Sequence, residues 1–407
     1  MNIALLHYSA PPVVGGVESV MGQHARLMAT AGHQVRIIAG RGDRLNADIP
    51  FVHLPLAGSR HAEILALKAE LDAGRVPSNF QTKVELLAAE LSRVLKDGDI
   101  LIAHNVCSLH KNLALTAALK KLSERPKSPR LILWHHDLAW TTPRYRNELH
   151  AGYPWDLLSN DWPNALQVVV SELRRQELCQ LLGISSDRVW VVPNGVDLNT
   201  FLKLETQTIQ LIHQLELLDS EPLFLLPVRL TPRKNIELAL HTLAALRDPF
   251  PAATLIVTGP MGPHNPANLQ YFERLLALRS DLGLQESAHF LAELAEGFLP
   301  DAIIADFYRL ADALFLPSRE EGFGIPVLEA GLAGIPVFCA DIPPLQAIGA
   351  GWATYFSPDD PPEKIAAQIT SHLAASQTFH LRIKVRRRYS WDRIYAKHIA
   401  PLLAPEL

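Results

Sequence analysis

At 407 residues the chain exceeds what one hydrophobic core organises and, at roughly 150 residues per domain, points to two or three domains. Apolar residues make up 48% and charged residues 20%, enough to bury sizeable cores and to exclude a disordered chain. Lys plus Arg number 38 against 42 Asp plus Glu, a formal net charge of −4 that lacks the basic excess of a dedicated nucleic-acid binder.

Cys107, Cys179 and Cys339 stand far apart without CxxC spacing and read as buried thiols of a cytosolic protein, which argues against a disulfide framework or a thiolate zinc site. No apolar run reaches the roughly 18 residues that cross a bilayer, and Met1–Tyr8 reads as a strand, not a secretion signal. A cytoplasmic location is expected.

Strand Ile3–His7 opens the chain. It leads through Pro11, Pro12, Val13 and Val14 to Gly15 and Gly16, followed by helix Val17–Ala31. Paired glycines at a helix start let backbone N–H groups approach an anion; the plainer alternative is a tight turn that needs glycine for its backbone angles. The pattern is neither GxGxxG nor GxxxxGK[ST], so the dinucleotide and P-loop readings lose support. Strand Gln34–Ala39, helix Gln81–Leu95 and strand Ile100–Ala103 come next. From Lys111 to Arg130, six basic residues (Lys111, Lys120, Lys121, Arg125, Lys127, Arg130) outnumber the single acid Glu124, with Leu113, Leu115, Leu119 and Leu122 interleaved. This is either a basic amphipathic helix that docks on anionic lipid at the inner face of a membrane, or a crossover helix with leucines on a sheet and lysines in water.

Strand Leu131–Trp134 ends in His135, His136 and Asp137. Neighbours on an extended end point opposite ways, so one histidine can face the cleft while the other packs, and Asp137 can orient an imidazole or accept a hydroxyl; the plainer alternative is a satisfied structural histidine. No third ligand stands at a spacing that would make the pair a metal site. Trp140, Tyr145, Tyr153, Trp155 and Trp162 are suited to stacking on a sugar ring or to filling a core. Strands Leu166–Val170 and Val189–Val192 flank helix Glu172–Leu182, and Pro193-Asn194-Gly195-Val196-Asp197 closes the first half.

The second half repeats the rhythm. Strand Leu223–Val228 runs into Arg229, Thr231, Arg233 and Lys234 before helix Asn235–Leu246. Arg229 and Lys234 beside a helix start make a receptacle for a diphosphate, while Arg233 reads as a surface residue. Strands Thr254–Thr258 and Ala288–Leu291 and helices Asn268–Leu282 and Pro300–Ala311 follow. Strand Ala313–Leu316 enters Ser318-Arg319-Glu320-Glu321-Gly322-Phe323-Gly324-Ile325-Pro326, where Pro326 suits a first helical position of Pro326–Ala333. The glycines let N–H groups face a ligand, and Glu321 and Glu329 can accept paired sugar hydroxyls. Strand Val337–Cys339 follows, and the uncharged run Ile342–Pro358 reads as a loop with a short strand. Lys384–Arg388 reads as a solvated basic face before helix Trp391–Leu403.

Short continuous apolar strands alternating with helices require parallel sheets covered on both faces. The expected fold is α/β, with two Rossmann-like doubly wound parallel-sheet domains facing a central cleft. Residues 1–197 would form the first domain, 198–219 a linker and 220–388 the second domain, with 389–407 a helix crossing back to the first.

These residues resemble the family-4 retaining glycosyltransferases of the GT-B fold. Glu321 and Glu329 match the E-x7-E element, and Arg229 and Lys234 the Arg-x4-Lys element. Gly15-Gly16-Val17-Glu18, His136-Asp137, Pro193–Asp197 and Tyr389-Ser390-Trp391 stand in the expected order, so the likeness spans essentially the whole chain. It implies that Arg229 and Lys234 neutralise the donor diphosphate and Glu329 holds ribose hydroxyls. Glu321 would face the transferred sugar with the N–H groups of Phe323 and Gly324, within a donor loop that includes Gly322 and Ile325. His136 would line the reaction centre, Gly16 would approach the diphosphate or the acceptor, and Gly15 and Asp137 would lie on the acceptor side.

Two departures touch nucleotide loops: Val228 and Ala292 stand where the family usually has glycine. The implied activity is transfer of a hexose from UDP-glucose or GDP-mannose to an acceptor hydroxyl on a saccharide, small molecule or lipid-linked compound. Retention is implied, no cofactor is expected, and no DxD-type element marks a metal site. Competing readings are a GT-B sugar phosphorylase, a nucleotide-sugar epimerase, or a silent nucleotide-sugar binder.

Overall fold

Strand β1 (Asn2–Leu6) shows how the first sheet is covered. Ile3 and Leu5 join one buried cluster while Ala4 and Leu6 join another, as alternating side chains of a strand buried on both faces must. The same division runs through β2 (Gln34–Ala39), β4 (Ile100–His104) and β5 (Arg130–His135). With β3 (Phe51–His53), β6 (Ala165–Val169) and β7 (Val189–Val191), they form a parallel sheet of order β3-β2-β1-β4-β5-β6-β7. A computed structural model describes residues 1–126, 128–260, 266–294 and 298–404.

A second parallel sheet has order β10-β9-β8-β11-β12-β13, from β8 (Leu223–Leu226), β9 (Thr254–Val257), β10 (Ala288–Phe290), β11 (Ala313–Leu316), β12 (Val337–Ala340) and β13 (Thr354–Phe356). Both orders reverse direction beside their first strand, at β1/β4 and at β8/β11. Open α/β sheets bind ligands at the carboxyl ends of the strands flanking such a reversal.

Contacts divide the chain into one unit of residues up to Gly195 plus the segment from Trp391, and a second unit, Val196–Ser390. Trp391, Ile394, Ile399 and Leu402 pack into the first unit's core beside Ile3 and Leu5. The expected linker at 198–219 is instead folded into the second unit. It forms helices Leu198–Leu202 and Thr206–Gln214; Asp306 accepts from the Glu205 N–H at 2.7 Å and the Thr208 hydroxyl at 2.6 Å, and Leu211, Ile212 and Leu217 are buried. Tyr389 and Ser390 also belong with the second unit, the Tyr389 carbonyl accepting from the Val196 N–H at 2.7 Å.

Several further expectations change. Helix Leu113–Ser123 buries Leu113, Leu115, Leu119 and Leu122, so its apolar face is committed to the core and none remains for a bilayer. Lys121 pairs with Glu85 at 2.5 Å and Lys120 lies over the Trp162 ring at 5.1 Å; Lys127 lies outside the described residues. No helix among the described residues is long and apolar enough to cross a membrane. Lys384–Arg388 is not wholly a solvated face: Arg386 is 5% exposed and grips Asp312 through two nitrogens at 2.9 and 2.7 Å. The run Ile342–Pro358 contains a helix, Pro343–Gly349, before β13. Cys107 and Cys339 are buried, whereas Cys179 is half-buried.

Candidate active site

In the second unit the two strands at the reversal point supply the loops that matter. After β8 the chain runs through Arg229 into a one-turn helix, Pro232–Lys234, and Asn235 takes a left-handed conformation (φ 53°) before helix Ile236–Leu246. That corner turns Lys234 inward, where its Nζ donates to Glu321 Oε1 at 2.5 Å, the two side chains being 10% and 8% exposed. The Arg319 N–H donates to the Arg233 carbonyl at 2.8 Å, tying the two loops together.

Past Glu321 the loop is held by Gly324 at φ 103°, and a Cβ there would lie 2.6 Å from Leu345 Cδ2. Only glycine satisfies both conditions. Helix Ile325–Ala333 then begins, with Pro326 its second residue rather than its first. The N–H groups of Phe323 and Gly324 make no backbone hydrogen bond among the described residues, leaving donors beside Glu321 at a helix N-terminus.

Glu329, further along that helix, accepts a hydrogen bond from the Tyr308 hydroxyl at 2.6 Å. Burial, and then the carboxylate, push the Tyr308 phenol far up, so it remains a donor. Arg229 is exposed, its guanidinium 5.8 Å from the Phe298 ring centre. Gly322, Phe323 and Ile325 are exposed. The hydroxyls of Thr231 and Ser318 are buried without a partner among the described residues. Val228 is buried in the core, and a Cβ on Gly259 would fall 1.9 Å from its carbonyl oxygen. The side chain that replaces the expected glycine therefore points away from ligand space, while the adjoining loop keeps a glycine where the backbones touch. Ala292 lies in the turn after β10.

In the first unit, Gly15 is the N-cap of helix Gly16–Thr30 with an extended φ of −175°, an angle open to any residue. A Cβ there would lie 2.1 Å from Glu18 Oε2, the movable end of a side chain. Gly16 has open space around it. Both strand-end histidines are buried: His135 donates from Nε2 to Gln167 at 2.8 Å, and His136 Nε2 shares a hydrogen bond with His104 Nδ1 at 3.1 Å. Asn105 Oδ1 accepts from the His136 N–H at 2.7 Å. Among the described residues Asp137 contacts no imidazole, and Asn105 Nδ2 donates to it at 3.4 Å. Burial first, then the neighbouring His24 and His7, lower His136 to about 3, so its ring is neutral at pH 7. Of the aromatic residues weighed for sugar stacking, Trp155 and Trp162 are buried in the core.

Residues 14–200 match the family model described as Glycosyltransferase Family 4, and residues 208–388 the model described as Glycosyl transferases group 1. The chain belongs to the family-4 glycosyltransferases of the GT-B fold. The mannosylglucosylglycerate synthase of Thermotoga maritima is 26% identical over 363 residues, covering 83% of this chain and 80% of that protein. The D-inositol 3-phosphate glycosyltransferase of Nocardia farcinica is 33% identical over 170 residues, covering 41% of this chain and 35% of that protein. The solved structure of Anabaena Alr3699/HepE in complex with UDP and glucose is 19% identical, covers 99% of each chain and aligns with a TM-score of 0.37.

In this glycosyltransferase the second unit brings Lys234 and Glu321 into contact, gives Glu329 a tyrosine donor and leaves Arg229 on the surface. An ammonium–carboxylate pair and a second carboxylate with one oxygen engaged by Tyr308 can grip polyhydroxyl and phosphate groups. Tyr308 and His104 escape sequence reasoning because each matters only through a contact made in space. One further acidic cluster, Asp72, His110 and Glu148, has ligand atoms within 4.8 Å of one another. Lys68 bridges it, 2.5 Å from Asp72 and 2.8 Å from Glu148, so its centre already holds a cation.

Proposed function

We propose that this glycosyltransferase transfers glucose or mannose from UDP-glucose or GDP-mannose to an acceptor hydroxyl, retaining anomeric configuration and using protein cations in place of a divalent metal. The observation that carries this reading is the Lys234–Glu321 contact at the β8/β11 reversal, beside the free N–H groups of Phe323 and Gly324. Departure of a nucleotide diphosphate leaves negative charge on phosphate oxygens. Lys234, Arg229 and the helix-end N–H groups stabilise it electrostatically. Lys234 has three donors, so it can keep Glu321 in place while donating to a phosphate oxygen.

Glu321 then faces the hexose hydroxyls, and Glu329, held by Tyr308, accepts ribose hydroxyls. His136, neutral at working pH, lines the reaction centre as a hydrogen-bonding group. The leaving phosphate oxygen takes the acceptor's proton on the same face, so no protein nucleophile is required. A relative named as a mannosylglucosylglycerate synthase supports a hexose as the transferred group.

The test is incubation with each nucleotide sugar and a panel of hydroxyl acceptors in the presence of EDTA, with the product anomer assigned by NMR. Transfer with the donor's anomeric configuration is expected. An inverted product, or activity abolished by EDTA and restored by a divalent ion, would refute the respective part of the reading.

A further inference from the structure

Arg41, Arg60 and Lys111 of the first unit make no ion pair or side-chain hydrogen bond among the described residues, and all three line one pocket of about 220 Å³. They come from three separate loops, after β2, β3 and β4, at the carboxyl ends of the strands. Lone surface cations are usually solvated and move freely. Here the backbones that carry them are fixed to one another.

Gly40 packs against Gly58 so closely that a Cβ on Gly40 would lie 2.1 Å from the Gly58 nitrogen. The His53 ring donates from Nε2 to the Gly40 carbonyl at 3.0 Å, and Gly42 adopts φ 138° against Ala10. Asn112, next to Lys111, donates to the carbonyls of Leu56 at 2.9 Å and Ala57 at 3.3 Å, in the turn that leads to Gly58. The three cation-bearing loops are thus joined at a single turn. The pocket's acid, Glu18, is engaged by the Ser9 hydroxyl at 2.5 Å, so three positive side chains stand against one occupied carboxylate.

We propose that this pocket binds a phosphate or carboxylate group carried by the acceptor, with Arg41, Arg60 and Lys111 as its ligands. The assignment to the acceptor rests on the glycosyltransferase reading above. A preorganised set of charged donors is how proteins hold such anions, and a volume of about 220 Å³ accommodates one anionic group with the adjoining part of a small molecule.

The experiment is calorimetric titration at fixed ionic strength with inorganic phosphate, with glycerate and with neutral glycerol, in saturating UDP or GDP so that nucleotide sites are filled. Wild type is compared with Arg41→Gln/Arg60→Gln and with Lys111→Gln, whose folding is checked by thermal melts. Saturable binding of phosphate or glycerate but not glycerol is expected, weakened roughly tenfold or more in both variants. Tighter phosphate binding assigns a phosphomonoester, and tighter glycerate binding a carboxylate; either supports the pocket. Absence of saturable anion binding in wild type, or equal binding in all three proteins, overturns it. The nucleotide titration is read separately: if UDP and GDP fail to bind, the donor reading falls while the anion result still decides the pocket.

Discussion

Tyr308 donates its hydroxyl to Glu329 at 2.6 Å, from helix Asp301–Leu310 to helix Ile325–Ala333. The bond fixes one carboxylate oxygen and leaves the other for a ligand. Tyr308→Phe removes a charge-assisted donor and lets Glu329 rotate. If Glu329 holds the donor's ribose, this variant raises the donor KM by roughly fivefold to twentyfold with little change in kcat. Steady-state kinetics against the donor check it; a fall in kcat at constant KM would place Glu329 in the chemical step instead.

Lys234 and Glu321 form a nearly buried ion pair, so each has a structural and a chemical role that must be separated. Lys234→Met alone leaves a buried carboxylate and is expected to cost about 2–4 kcal/mol of stability, whereas Lys234→Met/Glu321→Met restores most of it. Activity behaves differently. Both proteins lose roughly a hundredfold or more in kcat/KM, because the cation that stabilises the leaving diphosphate is gone in each. Denaturant melts and initial rates on the same preparations decide; activity recovering with stability in the double variant would reduce the pair to a scaffold.

Much of this architecture is legible along the chain because parallel strands buried on both faces are written as short, unbroken apolar runs. Phe51–His53 escapes for the opposite reason: three residues at a sheet edge, half-buried or exposed, carry no such run. The motif loops are legible where function lies within one segment, as in Glu321–Glu329. They are not where it depends on contacts between segments. Glu329 gains its donor from a helix 21 residues upstream, and His136 meets a histidine at the end of the neighbouring strand. Arg386 sits in a run of cations that reads as a wet surface, and only the fold sets it against Asp312, 74 residues away.

Burial lowers His7 and His135 to about 4 and His24 and His136 to about 3, all from an ordinary 6.5. Above pH 6.5 these rings are neutral both folded and unfolded, and none affects the balance. Below it the unfolded chain takes up protons that the folded unit refuses, so stability falls as pH drops from 6.5 towards 4, by about 1.4 kcal/mol per pH unit for each histidine. Calorimetric melts should therefore be flat above about pH 7 and decline steeply below 6.5, with His24→Leu giving a shallower decline. The activity profile should show no limb from His136 ionisation near neutrality; such a limb, abolished by His136→Gln, would mean that the ring titrates in its working environment.

Asp312 has no side-chain exposure, and Arg386 reaches it with both terminal nitrogens while also donating to the carbonyls of Ser220 at 2.6 Å and Leu310 at 3.3 Å. The same carboxylate accepts from the Leu223 N–H at 2.8 Å, so one guanidinium secures the entry to β8, the strand that leads to Arg229 and Lys234. Arg386→Met leaves the buried carboxylate with only the Leu223 N–H and a longer contact to Arg382 Nε at 3.9 Å, and is expected to cost about 3 kcal/mol. Arg386→Lys keeps the charge but loses the two-nitrogen grip, and should fall between wild type and Arg386→Met. Calorimetric melting of the three proteins, with hydrogen exchange at the Leu223 amide as a local probe, tests the ranking. A cost below about 1 kcal/mol for Arg386→Met would show that the Leu223 N–H and Arg382 suffice to hold Asp312.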